Sequence, residues 1–348
     1  MDAAERRFLV TGAQGFLGRH VVQAILTSTP RAQVLGIGRS AYSQEFFSHS
    51  LHWASQPLRA PVPGYLREFT ASARYRYRVL DLRDVAATAK LVREFSPDVV
   101  LHLASGLKGD PIDSLMRNGV ESTVSLLEAL GGLGRPGSRL IYASSGGVYG
   151  EVPERLLPIR EDTTPRPADL YSISKLTSEQ LCRVVGATYG TKVTCARVFN
   201  LVGPGQDERH VCGRFAAQAA AIILGRQPPL IETGDLRTSR DFIDVRDCAT
   251  AMVLLATRAA AEETYNLASG REMSVAAVLR TVLEQSGLHE KVTVSCSSRL
   301  APGVQRHYAC IERLAGLGFR VERGIESTLA DLLNYYVEDV AAAAGRLK

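Results

Sequence analysis

Apolar positions along the first 200 residues follow two alternating patterns. Short runs rich in β-branched residues predict strands at 8–11, 34–37, 77–80, 99–103, 140–144 and 193–199. Amphipathic stretches between them predict helices near 16–27, 84–95, 112–130 and 170–189. Strands that alternate with helices build a parallel sheet with helices on both faces. We therefore predict a doubly wound α/β fold.

Two parts of the chain depart from this alternation. Residues 41–76 are rich in aromatic, Ser, Pro and Gly residues, which predicts an excursion between the second and third strands. Beyond residue 200, helices are predicted near 212–225, 274–286 and 325–342, with a strand and helix at 240–257 and a strand at 264–267. We predict a large domain over residues 1–199, to which 245–268 return, and a smaller lobe over 200–244 and 269–348.

The composition argues against several classes of protein. Of 348 residues, 45% are hydrophobic and 22% charged, and no run approaches the roughly 20 apolar residues of a membrane span. The chain start lacks the apolar run of a secretory signal, so we expect a cytoplasmic protein. The net charge is +5, but the basic residues are too dispersed for a nucleic-acid surface. The six cysteines lack zinc-ligand spacing, so we expect no metal site.

A glycine-rich loop lies between the first predicted strand and the first predicted helix. Gly12 allows a tight turn, Gly15 lets a phosphate approach the backbone, and Gly18 lets the helix pack on the strand. The helix N-terminus offers N–H donors to an anion. We therefore predict a Rossmann-type dinucleotide site in the large domain. Its predicted cofactor contacts in this loop are Gly12, Gln14, Gly15, Phe16, Leu17 and Gly18.

The end of the second strand indicates which dinucleotide binds. NAD-binding folds carry an acidic residue there, which hydrogen-bonds the adenosine ribose. Here Arg39 and Ser40 follow the strand, and a guanidinium suits a 2′-phosphate. We predict NADP (NADPH) in preference to NAD. Further cofactor contacts are predicted where later strands end, at Asp81, Leu82, Leu103, Ala104 and Ser105.

Three side chains with complementary chemistry are predicted to converge beyond the sheet. Tyr171 and Lys175 lie four residues apart on one helix face, and Ser145 follows the fifth strand. Ligands of doubly wound sheets bind beyond the carboxyl ends of strands. Tyr171 would exchange the proton of a carbinol and Ser145 would hydrogen-bond its oxygen. Lys175 would lower the pKa of Tyr171 and hold the nicotinamide ribose, which predicts an oxidoreductase.

Several longer motifs follow in order along the chain. They are the glycine loop, His102-Leu-Ala104, Ser144-Ser145-Gly-Gly-Val-Tyr-Gly150, Tyr171-x-x-x-Lys175, and segments that begin at Arg197, Arg240 and Tyr265. Together they resemble the extended short-chain dehydrogenases, the NAD-dependent epimerase/dehydratase relatives, over nearly the whole chain. Within that family the motifs are most similar to GDP-4-keto-6-deoxymannose reductases. The resemblance implies NADPH-dependent reduction of a 4-keto sugar, substrate diphosphate contacts at Asn200 and Arg240, and Lys108 near the cofactor.

Three departures from the family pattern bear on the reaction. Dehydratases of the family carry an acidic residue after the active Ser or Thr, whereas Gly146 and Gly147 stand here, so water elimination is disfavoured. Gly119 takes the Asn position of the family's NVxGT motif. The late segment that holds the nucleotide in the family is replaced, and Arg299 or Arg306 is left as its substitute in substrate binding.

The leading interpretation is a reductase of a keto group, at C4 of a nucleotide-diphosphate 4-keto-6-deoxysugar. An epimerase that retains its cofactor, a tailoring ketoreductase for a non-nucleotide natural product, and an idle NADP-binding scaffold are alternatives. Arg39 favours net reduction, because sugar epimerases of the family keep NAD, and the intact trio argues against a scaffold. A homodimer through the helices near 112–130 and 170–189 is also predicted. It rests on their apolar residues Leu115, Leu126, Leu127, Leu130, Leu176, Leu181, Val184 and Val185.

Overall fold

The computed structural model describes residues 6–53, 56–134, 137–260, 263–296 and 304–345. Its strands are β1 (Arg6–Thr11), β2 (Ala32–Gly38), β3 (Phe46–Trp53), β4 (Gln56–Pro61), β5 (Tyr75–Val79), β6 (Val99–His102), β7 (Arg139–Ser145), β8 (Lys192–Val198), β9 (Asn200–Val202), β10 (Leu230–Thr233), β11 (Ser239–Asp244), β12 (Thr264–Leu267), β13 (Glu272–Ser274), β14 (Thr293–Cys296) and β15 (Arg306–His307).

Its α-helices are α1 (Phe16–Ser28), α2 (Gly64–Thr70), α3 (Val85–Phe95), α4 (Ile112–Leu115), α5 (Ser122–Gly131), α6 (Leu170–Tyr189), α7 (Val211–Ile223), α8 (Val245–Arg258), α9 (Val275–Gln285), α10 (Glu312–Gly316), α11 (Ile325–Tyr335) and α12 (Ala341–Gly345). A π-helical turn, Met116–Glu121, joins α4 to α5, and a second one, Tyr336–Val340, joins α11 to α12. None of the described helices combines the length and apolar character needed to cross a bilayer.

The central sheet has seven strands in the order β12-β8-β7-β6-β1-β2-β5. Every neighbouring pair is parallel. Strand β6 lies in the middle and all four of its residues are buried, as expected of a strand covered by helices on both faces. One face packs against α1 and α8, and the other against α3, α5 and α6. This arrangement confirms the predicted doubly wound α/β fold.

Local signals explain where the helices beside the site begin and end. The Asp169 carboxylate accepts a hydrogen bond from the Ser172 N–H and caps the N-terminus of α6. Gly190 ends the same helix with φ +68°, a left-handed conformation that suits glycine. Asp84 caps α3 in the same way, by accepting a hydrogen bond from Ala87. These caps hold α6, and with it the predicted catalytic pair, in a defined position against the sheet.

Strands β3 and β4 form an antiparallel hairpin in the region for which the sequence predicts only an excursion. Its buried residues Phe47, Leu51 and Trp53 belong to the same hydrophobic core as α7, α9 and α11. We propose that residues 6–199 and 245–268 form the dinucleotide-binding domain. Residues 200–244 and 269–345 would form the substrate-binding lobe, and the hairpin would pack into the core of that lobe.

Candidate active site

The glycine loop forms a tight backbone turn between β1 and α1. Gly12 has φ +67°, and a Cβ there would lie 3.0 Å from the Ala104 backbone nitrogen. A Cβ at Gly18 would collide with the Gly12 carbonyl oxygen, so the helix can approach the loop only with glycine at this position. The loop therefore presents bare backbone and the N-terminus of α1, which is the cradle that a pyrophosphate requires.

The Gln14 side chain is fully engaged with protein groups. Its amide nitrogen donates to the Ser40 and Ala41 carbonyl oxygens at 3.3 and 2.9 Å, and its carbonyl oxygen accepts from Ser43 N–H at 2.8 Å. Arg19 adds a further bond to that oxygen at 3.1 Å. Only the backbone of Gln14 can therefore face a cofactor. Of its predicted neighbours, Phe16 packs on Phe47, and Leu17 packs on the core beside α8.

Arg39 and Ser40 follow β2 on the surface above the predicted adenosine position. The Arg39 Nη1 donates to the Asn118 side-chain oxygen at 2.8 Å. Asp81, one of the predicted cofactor contacts, pairs with Arg83, and the two groups approach to 2.6 Å. The Leu82 side chain is buried in the core, so a cofactor contact at this position would involve its backbone.

The end of β6 joins the glycine loop through a directed hydrogen-bond chain. The Thr11 Oγ1 accepts from the Leu103 and Ala104 N–H groups at 3.1 and 3.0 Å, so its own proton points to His102 Nδ1, 2.8 Å away. His102 Nε2 then donates to Thr123 Oγ1 at 3.0 Å. Burial lowers the pKa of His102 to about 3, so the imidazole stays neutral and holds this tautomer.

Ser105 provides a test of whether the site suits a dinucleotide. Its hydroxyl is buried, and it has no hydrogen-bond partner within the described part of the chain. A buried hydroxyl normally finds a partner, so this one is available to a ligand. The glycine cradle and this hydroxyl both fit a dinucleotide that lies along the carboxyl edge of the sheet.

The structure brings Ser145, Tyr171 and Lys175 together at the end of β7. The Ser145 hydroxyl lies beside the Tyr171 phenol and opposes the rise in the pKa of Tyr171. The Lys175 ammonium lies 5.8 Å from the centre of the Tyr171 ring and donates to the Ala143 carbonyl oxygen at 2.7 Å. Strand β7 thus supplies the serine and fixes the lysine, while α6 supplies the tyrosine. A carbonyl oxygen placed between Ser145 and Tyr171 would meet two hydroxyl donors.

Burial governs the pKa values of this cluster. Desolvation raises the pKa of Tyr171 to about 12, the charge of Asp169 adds to that rise, and the hydrogen bond to Ser145 opposes it. Burial also lowers the pKa of Lys175 to about 8. The expected lowering of the Tyr171 pKa by Lys175 is therefore wrong for this structure, because desolvation outweighs any effect of the ammonium.

Three further predicted contacts have polar side chains, namely Lys108, Asn200 and Arg240. Lys108 forms a 3.0 Å ion pair with Asp169, which places it at the start of α6. Asn200 donates to the Asp241 carbonyl oxygen at 2.9 Å. Arg240 donates to the Ser239 and Gln305 carbonyl oxygens, and no carboxylate pairs with it among the described residues. An arginine held by neutral groups keeps its charge for an anionic ligand.

His307 is a site residue that the sequence did not indicate. Its ring lies 4.9 Å from the Phe199 ring and interacts with the backbone of Gly146, the residue after Ser145. Burial and the nearby charge of Arg240 lower the pKa of His307 to about 4, so it is neutral at physiological pH. No motif marks it, because β15 brings it to the site by pairing with β11.

The two proposed substitutes for the nucleotide-holding segment are not equivalent. Arg299 lies outside the described residues. Arg306 donates to the carboxylates of Glu272 and Glu154, at 2.7 and 3.2 Å. Its charge is therefore already balanced within the protein, which argues against Arg306 as a phosphate ligand.

This fold and site define a Rossmann-type oxidoreductase that works with a nicotinamide dinucleotide. The chain belongs to the NAD dependent epimerase/dehydratase family, and the sequence model of that family matches residues 8–268. Both the family and the enzyme class agree with the resemblance inferred from the motifs.

The chain is similar to known enzymes in both sequence and structure. The chain is 36% identical over 277 residues to the GDP-6-deoxy-D-mannose reductase of Pseudomonas aeruginosa, covering 78% of this chain and 77% of that one. The solved structure of RMD from Pseudomonas aeruginosa complexed with NADPH has a TM-score of 0.75 and 28% identity, covering 95% and 99%. The Thermus thermophilus UDP-glucose 4-epimerase complex with NAD has a TM-score of 0.74 and 26% identity, also covering 95% and 99%.

Proposed function

We propose that this enzyme uses NADPH to reduce the C4 keto group of a nucleotide-diphosphate 4-keto-6-deoxysugar. The observation that carries the proposal is the cluster of Ser145, Tyr171 and Lys175 at the carboxyl end of β7. The similarity to a GDP-6-deoxy-D-mannose reductase and to an NADPH complex supports the substrate class and the cofactor. Arg39, in place of an acidic residue after β2, supports NADPH over NAD.

The protein groups would act on the oxygen of the substrate carbonyl. NADPH, when bound, supplies a hydride to the carbonyl carbon. Because its pKa is raised to about 12, Tyr171 holds its proton at neutral pH and can deliver it to the developing alkoxide. Ser145 would donate a hydrogen bond to the same oxygen. Lys175 would hold the nicotinamide ribose from the floor of the site, where β7 fixes its ammonium.

The residues after Ser145 argue against water elimination. A Cβ at Gly146 would lie 3.0 Å from the Phe199 ring, and a Cβ at Gly147 would lie 2.6 Å from the Ser172 hydroxyl. A carboxylate at either position would force its neighbours to move. The acidic residue that a dehydratase needs is missing from the sequence, and the structure leaves little space for an acidic side chain at either position.

A nucleotide-linked sugar would bring a diphosphate to the cleft. Arg240 is held by two backbone carbonyls, so its charge remains for a phosphate. Asn200, on the paired strand β9, lies opposite Phe242, two residues along β11 from Arg240, and offers an amide. Lys108, which is expected near the cofactor, pairs with Asp169 at the start of α6. Arg240 and Asn200 form the proposed substrate subsite.

An assay of net reduction tests the proposal. The enzyme is mixed with NADPH and a panel of nucleotide-diphosphate 4-keto-6-deoxysugars, with Tyr171→Phe as the inactive control. We expect NADPH to be consumed in equal amounts with the sugar, and a hydroxyl to appear at C4. If no sugar in the panel led to consumption of NADPH, the result would contradict the proposed reaction.

Epimerisation is the second candidate, because an NAD-bound UDP-glucose 4-epimerase shares the fold at 26% identity. An epimerase oxidises and re-reduces one carbon, so it leaves the cofactor unchanged. The two functions are separated by adding nucleotide sugars without external cofactor. Interconversion of the C4 epimers under these conditions would favour the epimerase and exclude net reduction as the main activity.

A further inference from the structure

The side chain of Arg39 is anchored by a residue far away in sequence. Arg39 Nη1 donates to Asn118 Oδ1 at 2.8 Å, and the two residues are 79 positions apart. Asn118 lies in the π-helical turn between α4 and α5, and its side chain is half-buried. The contact therefore links the end of β2 to a helix on the neighbouring side of the predicted cofactor site.

The backbone on the Arg39 side of this contact is fixed. The Tyr77 hydroxyl donates to the Ser40 carbonyl oxygen at 2.9 Å, and the Gln14 amide donates to the same oxygen and to that of Ala41. A Cβ at Gly38 would lie 2.8 Å from the Tyr77 hydroxyl, so the chain before Arg39 also fits closely. Because the main chain cannot shift freely, the position of the Arg39 guanidinium depends on its hydrogen bond to Asn118.

The orientation of the Asn118 amide is also fixed. Its Nδ2 donates to Ser114 Oγ at 2.9 Å, one helical turn earlier. The amide oxygen is thereby left to face Arg39. The π-helical turn places this amide. Such turns are rare in proteins overall, and those that occur are often found at functional sites.

The nature of the anchor matters for the charge of Arg39. An amide oxygen accepts a hydrogen bond without cancelling a positive charge, whereas a carboxylate would neutralise it. The charge of Arg39 contributes to the lowered pKa of Asp81, although the hydrogen bond from Arg83 is the largest cause. Asp81 already accepts hydrogen bonds from Arg83 at 2.6 and 3.0 Å. Among the described residues, no carboxylate lies within ion-pair distance of Arg39.

We propose that Asn118 determines cofactor specificity by holding Arg39 in position for the 2′-phosphate of NADPH while leaving its charge unbalanced. The inference rests on the proposed preference for NADPH. The Arg39 contact to Asn118 uses one of the five guanidinium N–H donors, so others remain for the phosphate. Asn118 acts through Arg39 and is a positioning residue.

The test measures dissociation constants for NADPH and NADH by fluorescence titration of the whole protein. The variants are Asn118→Asp, Asn118→Ala, Arg39→Ala and the double variant Arg39→Ala/Asn118→Ala. Asn334→Ala is the matched control, since Asn334 is an exposed helical asparagine in the other lobe. Melting temperatures and the NADH affinity report whether each variant is folded.

Asn118→Asp should weaken NADPH binding by about ten-fold or more, because its carboxylate would neutralise Arg39, and should leave NADH binding within about two-fold. Asn118→Ala should weaken NADPH binding by roughly three- to five-fold. In the Arg39→Ala background, Asn118→Ala should change nothing further, since residues in one contact are not additive. The Asn334→Ala control should bind both cofactors normally.

Three outcomes separate the possibilities. Equal affinities of the unmodified protein for NADPH and NADH would contradict the proposed cofactor preference itself. A clear preference that survives both Asn118 variants would overturn this inference and leave the proposed function standing. A loss of NADPH affinity on Asn118→Ala that persists without Arg39 would also overturn it, because Asn118 would then act directly on the phosphate.

Discussion

Tyr171 and Lys175 are both buried, and burial moves their pKa values in opposite directions. A phenol loses its proton to become charged, so desolvation raises the pKa of Tyr171 to about 12. An ammonium is charged while protonated, so desolvation lowers the pKa of Lys175 to about 8. The site therefore favours the neutral tyrosine, which is the form that can give a proton to a reduced carbonyl.

Removal of the Tyr171 hydroxyl should therefore reduce turnover far more than binding. General acid catalysis contributes about 10²–10⁴-fold, so Tyr171→Phe should lower kcat by at least that range. The dissociation constant of NADPH should change by less than about two-fold, because the glycine loop and Lys175 still hold the cofactor. Steady-state kinetics and fluorescence titration measure the two quantities.

Two further variants serve as controls for this prediction. Ser145→Ala should give a smaller loss of kcat, and Lys175→Ala should reduce both kcat and NADPH affinity. If Tyr171→Phe kept normal turnover on the true substrate, the trio would be misassigned.

Lys175 should also make the free energy of unfolding depend on pH. Its pKa is lowered from 10.5 to about 8 in the folded protein, so between these values the unfolded chain binds more protons. Stability contributed by this group is therefore lowest below pH 8 and rises as the pH rises from about 8 to about 10.5. The cost at neutral pH is about 3 kcal/mol.

Lys175→Met removes this titration, and urea unfolding at pH 7.5 and 9.5 tests it. The stability of the unmodified protein, measured relative to the variant, should increase between the two pH values. Lys192→Met, at an exposed lysine of β8, is the control and should give no such change. An equal difference at both pH values would show that Lys175 is not buried as an ammonium.

The residues that could be predicted from the sequence lie at strand ends or in short motifs. Ser145, Tyr171, Lys175 and Arg39 are of this kind, because one strand or helix fixes each of them. Asn118 and His307 reach the site through a π-helical turn and through strand pairing between distant segments, which periodicity does not encode. The role of a side chain also cannot be predicted when its hydrogen bonds reach residues distant in sequence. The Gln14 side chain, which is hydrogen-bonded to the 40–43 segment, is an example.

Among the elements, the hairpin of β3 and β4 departs furthest from the expectation. Its residues mix aromatic and polar types without a strict alternation, so the sequence indicates only an irregular segment. The structure shows why it is ordered. The Ser48 N–H donates to the backbone carbonyl oxygen of Gln14 at 3.0 Å. The His49 ring is hydrogen-bonded to the backbone carbonyl oxygen of Gly205 at 2.9 Å. The hairpin thus connects the glycine loop to the loop that precedes α7.

Phe47 is the residue that most directly secures this hairpin. Its ring is fully buried, and a Cβ at Gly205 would lie 2.6 Å from it. Phe47→Ala should lower the free energy of unfolding by about 3–5 kcal/mol, the usual cost of such a cavity. NADPH affinity should fall as well, because the hairpin supports the glycine loop. Urea unfolding and cofactor titration measure the two effects.

The neighbouring Phe46 provides a matched control. It is half-buried, and the Arg59 guanidinium lies 5.5 Å from its ring centre. Phe46→Ala should cost about 1 kcal/mol. Equal effects of the two substitutions would mean that the hairpin is held by its general surface and not by the Phe47 contact.

At the scale of the whole molecule, the sheet and the lobe meet along one edge. The proposed catalytic trio lies where the central β7 ends, and the polar groups of Asn200 and Arg240 come from strands outside the central sheet. The alternating pattern of the sequence predicts that the central strands are parallel and covered by helices. The pattern does not predict the pairing of the short strands β9, β13 and β15 with β11, because strands of two or three residues carry no periodic signal.

The predicted homodimer concerns the whole molecule. The structure indicates a different set of interface residues from the one predicted from the sequence. Leu115, Leu126, Leu127 and Leu130 are buried within the chain, so they cannot form an interface. Exposed apolar side chains do lie on the same helices. They are Ile112 on α4 and Leu170, Ile173 and Val184 on α6, with exposed fractions between 41% and 67%. We propose that this exposed set pairs with a second copy.

Light scattering at low micromolar concentration tests the pairing. The chain has a mass of 37.7 kDa, so the unmodified protein should show about twice that mass. Val184→Glu would place an unpaired charge in the interface, which is costly, and should shift the protein to the single-chain mass. Val294→Glu is the control, since Val294 is a 39% exposed valine on the other lobe, and it should leave the dimer intact. A single-chain mass for the unmodified protein would rule out the dimer, and an unchanged mass for Val184→Glu would place the interface elsewhere.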